Sequence, residues 1–411
     1  MAIIVQKYGG TSVGSLNRIE AVADNIIKTR QQGHQVVVVL SAMSGETNRL
    51  LAMAHSLDKQ PSNRELDMLL ATGEQTSIAL LAIALIQRGY SAVSLLAHQI
   101  GILTDNHFGR ARIKSIDNKR LLQSLEQEQI VIVAGFQGVD VEKNITTLGR
   151  GGSDTSAIAI AATLGASECQ IFTDVDGIYT ADPRVVPAAR KLDCISFDEM
   201  LVMANLGAKV LHNRSVEYAM RHNLPIRVLS SFCEGKGTRV INQQNEEWLL
   251  KQQDISSVVH QQQEVMISLS DIPTNEVVDA IFIALANENI DVDMINQSFH
   301  NRRSEIITPL ISLSFTLHKR DRLHAVSVLQ NVTQTYHLPT IKIVENIAKL
   351  SVVGVGVKSQ VDMVFSILAQ KNITISLIFS SEIHISVIIN EIDLIKGLDA
   401  LHDAFNLTLL T

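Results

Sequence analysis

The feature that most constrains the fold is a set of short β-branched runs, apolar at consecutive rather than alternate positions. V-V-V-V-L at 36–40 and I-V-I-V-A at 130–134 are the clearest; 2–5, 170–173 and 226–229 also read as strands. A strand with one wet face alternates, whereas a strand apolar throughout must be covered on both faces. Helical patterns lie between these runs, at 18–32, 65–88, 153–164 and 197–222. Strand–helix alternation predicts an α/β fold, a mostly parallel sheet flanked by helices. Ligands of such sheets sit beyond the carboxyl ends of the strands, so chemistry is expected in the loops there.

Glycine divides the 411 residues unevenly: 19 of 22 lie before Glu247, and only Gly354, Gly356 and Gly397 follow it. Charge divides too, with 24 Lys+Arg against 25 Asp+Glu up to Glu247 and 11 against 17 beyond it. Two physically different halves are indicated. An apolar fraction of 46% excludes a disordered chain, and 4% aromatics leave Ile, Leu, Val and Ala to build the cores. A net charge of −7 without basic runs argues against a nucleic-acid partner. Cys169, Cys194 and Cys233 form no C-x-x-C pair, which fits a reducing compartment better than a disulfide framework or zinc site. The longest apolar run, 78–86, is about half a membrane span, and no secretory signal is visible. No membrane partner and a cytoplasmic location are therefore expected.

After a Gln/Asn-rich stretch that reads as a linker with a short helix around Trp248, the chain repeats itself at an offset of 83. I-F-I-A-L-A-N-E-N-I-D-V-D-M-I at 281–295 matches V-F-S-I-L-A-Q-K-N-I-T-I-S-L-I at 364–378, with Asn289 opposite Asn372. Each copy reads as strand, loop, helix, alternating strand, so two small α+β modules are expected, with a shared ligand face or a structural pair both open. The predicted division is a catalytic domain at 1–247, a linker at 248–263, and modules at 264–340 and 341–411.

Three loops carry candidate chemistry. K-Y-G-G-T-S-V-G at 7–14 follows the first strand; its adjacent glycines allow a ligand close to the backbone, and Lys7 adds a cation. It is not a P-loop, and on its own it fits a structural turn equally. L-G-R-G-G-S-D at 148–154 opens an apolar helix, which Ser153 or Asp154 could cap; the functional reading is an anion site with Arg150 gripping a carboxylate. T-D-V-D-G-I-Y-T-A-D-P-R at 173–184 starts like a calcium loop, but Ile178 and Val185 stand where ligands are required. A nucleotide-binding turn with Asp174, Tyr179, Asp182 and Arg184 remains, beside a plain turn. Glu74 in an apolar helix, Lys209 in G-A-K-V-L-H, and Ser41 closing the V-V-V-V-L strand complete the set.

Taken in order, K-Y-G-G-T-S-V-G, V-V-V-V-L-S-A-M, T-G-E, T-L-G-R-G-G-S-D, T-D-V-D-G-I-Y-T-A-D-P-R and G-A-K-V-L-H-N-R-S-V-E resemble the aspartate kinase family, of the amino-acid-kinase fold. The resemblance spans essentially the whole chain, because the repeat is similar to that family's tandem ACT (ferredoxin-like) modules. It implies phosphorylation of the L-aspartate β-carboxylate by ATP with Mg²⁺, no direct protein ligand to the metal, and amino-acid biosynthesis as the setting. It further implies that Lys7, Tyr8, Gly9 and Gly10 meet the ATP phosphates while Asp154 orients that charged cluster. Thr173, Asp174, Tyr179, Asp182, Arg184 and Lys209 would line the nucleotide site. Arg150 would hold the aspartate α-carboxylate and Glu74 its ammonium, with Ser41, Thr47, Gly151, Gly152 and Ser153 positioning the rest. Kinases of the same fold acting on acetylglutamate, glutamate or UMP, and a non-catalytic amino-acid sensor, are the alternatives.

The resemblance also implies a homo-oligomer formed through the ACT modules, with lysine or threonine as effectors near Asp271, Pro273, Asn289 and Asn372. This chain departs from the family there. Thr274 stands where the D-x-P-G pattern has glycine, and the second copy, G-V-K-S-Q-V-D-M-V at 356–364, lacks the H-P-G of relatives. Asn213 stands where many relatives have proline. A weak or atypical effector response is expected.

Overall fold

The computed structural model describes residues 2–208, 210–251, 253–300 and 310–408. It divides into two compact units: Met1–Tyr179 with Lys191–Asn205 and Lys209–Gln252, and Thr180–Arg190 with Leu206–Ala208 and Gln253–Thr411.

The strands of the first unit are β1 (Ile3–Tyr8), β2 (Gln35–Leu40), β3 (Ala92–Leu95), β4 (Ile102–Thr104), β5 (Ile113–Ile116), β6 (Ile130–Ala134), β7 (Gln137–Val139), β8 (Ile145–Thr147), β9 (Glu168–Thr173), β10 (Cys194–Ser196), β11 (Ile226–Ser230) and β12 (Thr238–Ile241). Eight form one sheet in the order β10-β12-β11-β9-β1-β2-β6-β3. From β11 to β3 all are parallel, and β12 runs antiparallel to β11. The consecutive apolar runs sit centrally, and all five residues of β6 are buried. One face is covered by helices Leu16–Gln31 and Thr72–Gln87, whose Ile26, Leu81 and Leu85 pack with Val36, Val38 and Ile132. Burial of each such side chain is worth about 1.5–3 kcal/mol. Helix Gly152–Thr163 packs on β1, β2 and β9. It is buried almost all round, which is why it shows no polar stripe in the sequence.

Two helices expected as continuous are broken. The stretch at 65–88 is Asn63–Leu70 and Thr72–Gln87, meeting at Ala71, whose carbonyl accepts the Gln137 side-chain amide at 3.1 Å. By length and composition this stretch could cross a membrane, yet half of its most apolar window is buried inside the fold. The stretch at 197–222 is Phe197–Asn205 and Asn213–Arg221, parted at Gly207 with φ +104°. Asn213 is the first residue of its helix, after the capping His212. Proline is well tolerated at that position, so Asn213 preserves the same helix start. A small sheet, β5-β4-β7-β8, escaped the sequence reading because its strands hold three or four residues each.

The second unit holds β13 (Ser257–Ile272), β14 (Asp293–His300), β15 (Leu310–His318), β16 (Lys342–Val353), β17 (Leu377–Ser380) and β18 (His384–Asn390). They form one antiparallel sheet, β14-β15-β13-β16-β18-β17. Strand β13 serves both halves. Its carboxyl part pairs with β15, while its amino part, Ser257 to Gln261, pairs with Val353 to Lys349 of β16. In return Lys342 to Val344 of β16 pairs with Ser268 to Met266. The stretch at 248–263 is therefore only partly a connector: helix Glu246–Lys251 is followed by strand. Its glutamines hid that strand. Gln262 and Gln263 are exposed where the register shifts, and Gln263 adopts φ +62°.

Candidate active site

Lys7, Gly9, Gly10, Ser41, Ser153, Thr173 and Asp174 lie at or near the carboxyl ends of β1, β2, β6 and β9. Lys7, next to last in β1, places its ammonium 2.6 Å from an Asp154 carboxylate oxygen, with side chains 11% and 13% exposed. Asp154 lies in the first turn of helix Gly152–Thr163, where the backbone dipole favours an anion. The glycines after Lys7 have a steric reason. A Cβ on Gly10 would lie 2.9 Å from the Ala42 carbonyl, and one on Gly9 would meet the Lys7 ammonium. Bare backbone lets the β1 and β2 loops meet beside a cation.

Ala42 is also the hinge to Glu74. Its N–H donates to Glu74 Oε1 at 2.9 Å, and Gly73 is pressed against its methyl. Glu74 is 3% exposed, and its second oxygen, Oε2, is buried with no protein partner. Desolvation pushes its pKa from 4.5 up to about 7, against the opposing pull of backbone amides. Ser41 directly follows β2, its carbonyl accepting from Ser77 Oγ at 2.9 Å. Thr47 lies half-buried in helix Glu46–Leu57.

Arg150 is exposed in the loop after β8. Gly149 and Gly151 adopt φ +75° and +69°, and Gly151 lies so close to the His212 side chain that an added Cβ would sit 2.5 Å from its Cβ. His212 is held below its ordinary pKa by desolvation and by Arg214. Neither Ser153 nor Asp154 caps the following helix; Gly151 occupies that position without a side-chain bond. Ser153 instead packs on Gly135 at the end of β6. Its hydroxyl and the Asp154 carboxylate are thereby left for other roles.

Tyr8 departs from expectation. Its ring is buried and stacked on Phe172, with centroids 4.5 Å apart, and its hydroxyl accepts from Asn25. Burial raises its pKa far above the usual range, and its carbonyl bonds Ser41 N–H. Tyr8 is a core residue.

Beyond β9, the Thr173 hydroxyl donates to Asp174 at 3.0 Å. Tyr179 donates to Asp176 at 2.7 Å, and Lys191 pairs with the same carboxylate at 2.8 Å. Desolvation raises Tyr179 to about 12, with Asp176 adding to the shift. Burial alone would raise Asp176, but bonds from Lys191 and Tyr179 outweigh it and hold that carboxyl low. Sequence reasoning missed Asp176, Lys191 and Gly135. Asp176 stood within the quoted motif, whereas Lys191 has no local signal. Asp182 and Arg184 belong to the second unit, where the Arg184 fork grips Asp182 at 3.0 and 2.7 Å. Lys209 lies outside the described residues.

In the second unit, the Asp271 carboxylate accepts from His300 Nε2 at 3.0 Å, and His300 Nδ1 meets Ser312 Oγ at 3.1 Å. Pro273 precedes Thr274, whose extended φ of −145° makes the loss of glycine strain-free. Asn289 and Asn372 each follow a helix at φ +54° and +53°, closing it with bonds to Ala286 and Ala369. That helix-ending role accounts for their recurrence in both copies.

Residues 2–230 match the amino acid kinase family and 350–405 match the ACT domain. An aspartokinase of Pseudomonas aeruginosa is 48% identical over 411 residues, covering 99% of this chain and 98% of the relative. Among solved structures, E. coli aspartokinase III in complex with aspartate and ADP has a TM-score of 0.78 at 27% identity, spanning 98% of this chain and 99% of that one. The same enzyme in complex with lysine and aspartate gives 0.76 at 27% identity, with equal coverage. With nearly half of all positions identical, end to end through both units, this chain belongs to the aspartate kinases of the amino acid kinase family.

Proposed function

We propose that this aspartate kinase moves the γ-phosphoryl group of ATP to the β-carboxylate of L-aspartate, giving 4-phospho-L-aspartate for lysine, threonine and methionine biosynthesis. The observation that carries the reading is the meeting of two loops at Ala42: its carbonyl abuts Gly10 of the loop that follows Lys7, and its N–H holds Glu74, which keeps one buried oxygen lacking a protein partner. Lys7 suits phosphate, and the unpartnered Glu74 oxygen suits an ammonium.

A β-carboxylate with an ordinary pKa near ~3.9 is ionised at neutral pH, so the reaction needs no general base. The barrier is the approach of an anionic nucleophile to an anionic phosphate, which makes positioning and charge cancellation the main tasks. Lys7, steered by Asp154, meets the transferring phosphate along with the Gly9 and Gly10 backbone. Arg150 holds the α-carboxylate and Glu74 the ammonium, with Ser41, Thr47 and Ser153 orienting the rest. Thr173, Asp174, Tyr179 and Lys209 take the nucleotide. Mg²⁺ supplies further neutralisation of phosphate charge.

Lysine, bound in one E. coli structure, and threonine are the candidate effectors here, at the loop bearing Asp271 and Pro273. A second copy of the chain would cover the exposed Ile295 and Phe299 of edge strand β14. The second module's loop is filled by the chain itself: Gly356 N–H donates to the Asp254 carbonyl at 2.9 Å, and a Cβ on Gly356 would lie 2.6 Å from that of Asp254. This supports an attenuated response.

The test is ATP consumption with L-aspartate, trapping the acyl phosphate with hydroxylamine. Aspartate-dependent hydroxamate is expected; its absence, or equal yield with glutamate, overturns the assignment.

A further inference from the structure

Asp67 is 1% exposed on helix Asn63–Leu70, and every partner of its carboxylate is neutral. It accepts from Gly109 N–H at 2.9 and 3.0 Å, Thr147 N–H at 2.8 Å and Thr147 Oγ1 at 2.6 Å. Desolvation raises its pKa, with those bonds opposing. A buried carboxylate is costly to keep, so what it fastens matters. It fastens two chain segments, and Arg214 fastens the same two further along. The Arg214 guanidinium donates to Leu148 O at 2.9 Å and to Ala111 O at 3.1 Å. Between these anchors Ala111 N–H donates to Thr147 O at 2.8 Å, and Gly149 lies against the Gly109 carbonyl. Residues 109–111 thus form a splint along 147–149, the segment that delivers Arg150.

We propose that Asp67 and Arg214 are positioning residues that hold this splint and aim Arg150 at the α-carboxylate of the amino-acid substrate. This rests on the reading of Arg150 given above. Asp67→Asn would present amide hydrogens to N–H groups that need an acceptor. Arg214→Lys keeps the charge but loses the planar fork that spans two carbonyls. Among the described residues, the side-chain bonds of Asp67 and Arg214 go to Gly109, Ala111, Thr147 and Leu148 and none to the loops after β1 and β9, so the effect should fall on one substrate.

The experiment compares full-length wild type, Asp67→Asn, Arg214→Lys, Arg150→Ala, and each positioning variant combined with Arg150→Ala. Readouts are KM for aspartate, KM for ATP, and preference for L-aspartate over its α-amide. The expectation is that Asp67→Asn and Arg214→Lys raise aspartate KM about 10-fold or more, erode the α-amide discrimination, and leave ATP KM within about twofold. In the Arg150→Ala background the same changes should add almost nothing. If Arg150→Ala leaves aspartate KM and discrimination intact, the Arg150 assignment itself fails. If Arg150→Ala has its effect but the two variants raise both KM values alike, or act equally in both backgrounds, the positioning role is overturned. Should Asp67→Asn not fold, Arg214→Lys carries the same test alone.

Discussion

The two units use close backbone approach to opposite ends. In the first, glycines press loops together around charges that still have unmet capacity: Gly10 and Gly73 both abut Ala42, beside Lys7 and the half-bonded Glu74. In the second, Gly354 and Gly356 press on Asp254 and Ile255 of the chain's own connector, and the contact is complete in itself. Glycine therefore marks tight approach in both places, but ligand chemistry only where an unsatisfied charge stands next to it.

That contrast breaks first at Lys7. Lys7→Ala should lower kcat at least ~10²-fold, the scale of one electrostatic contact to a transition state; near wild-type turnover in steady-state assays would end the phosphate role. Next comes Glu74. A carboxyl whose pKa rises on folding binds its proton more tightly when folded, so stability falls as pH climbs from about 4.5 to about 7. Glu74→Gln should then be more stable than wild type at pH 8, by up to about 3 kcal/mol, with no advantage at pH 4. Its aspartate KM should rise about 10-fold or more, and wild-type aspartate KM should climb as pH drops below about 7. Calorimetry at the two pH values and a KM profile check both halves.

A smaller effect is expected from Gly356→Ala, which should destabilise the second unit by about 1–3 kcal/mol through overpacking on Asp254. Basal kcat should stay within about twofold, and a melt followed beside activity separates the two. The smallest concerns effectors: lysine plus threonine should inhibit only weakly, and micromolar inhibition would return the second loop to the ligand-binding class.

Much of the site was legible because its residues sit in contiguous strand–loop–helix motifs. Lys7, Gly10, Glu74 and Asp154 each lie within a few positions of a glycine or a strand end. What escaped was set by distant partners. At Ala71, where two helices meet, Gln137 from far along the chain takes the carbonyl. Tyr8 looks like part of a ligand loop until Phe172 stacks on it. Asp67 reads as one more acid on a helix until Thr147 and Gly109 close over it. The strand at 257–263 was masked by glutamines that face outward at a bulge.

The exchange of strand segments between β13 and β16 separates what was duplicated from what melts together. The repeat at an offset of 83 is a unit of inheritance, copied as one contiguous stretch. No single cut between the copies leaves either with a full set of hydrogen-bonded neighbours, because Ser257 to Gln261 completes the later half and Lys342 to Val344 the earlier. The shared pairing favours melting of the two copies in one cooperative step rather than one after the other.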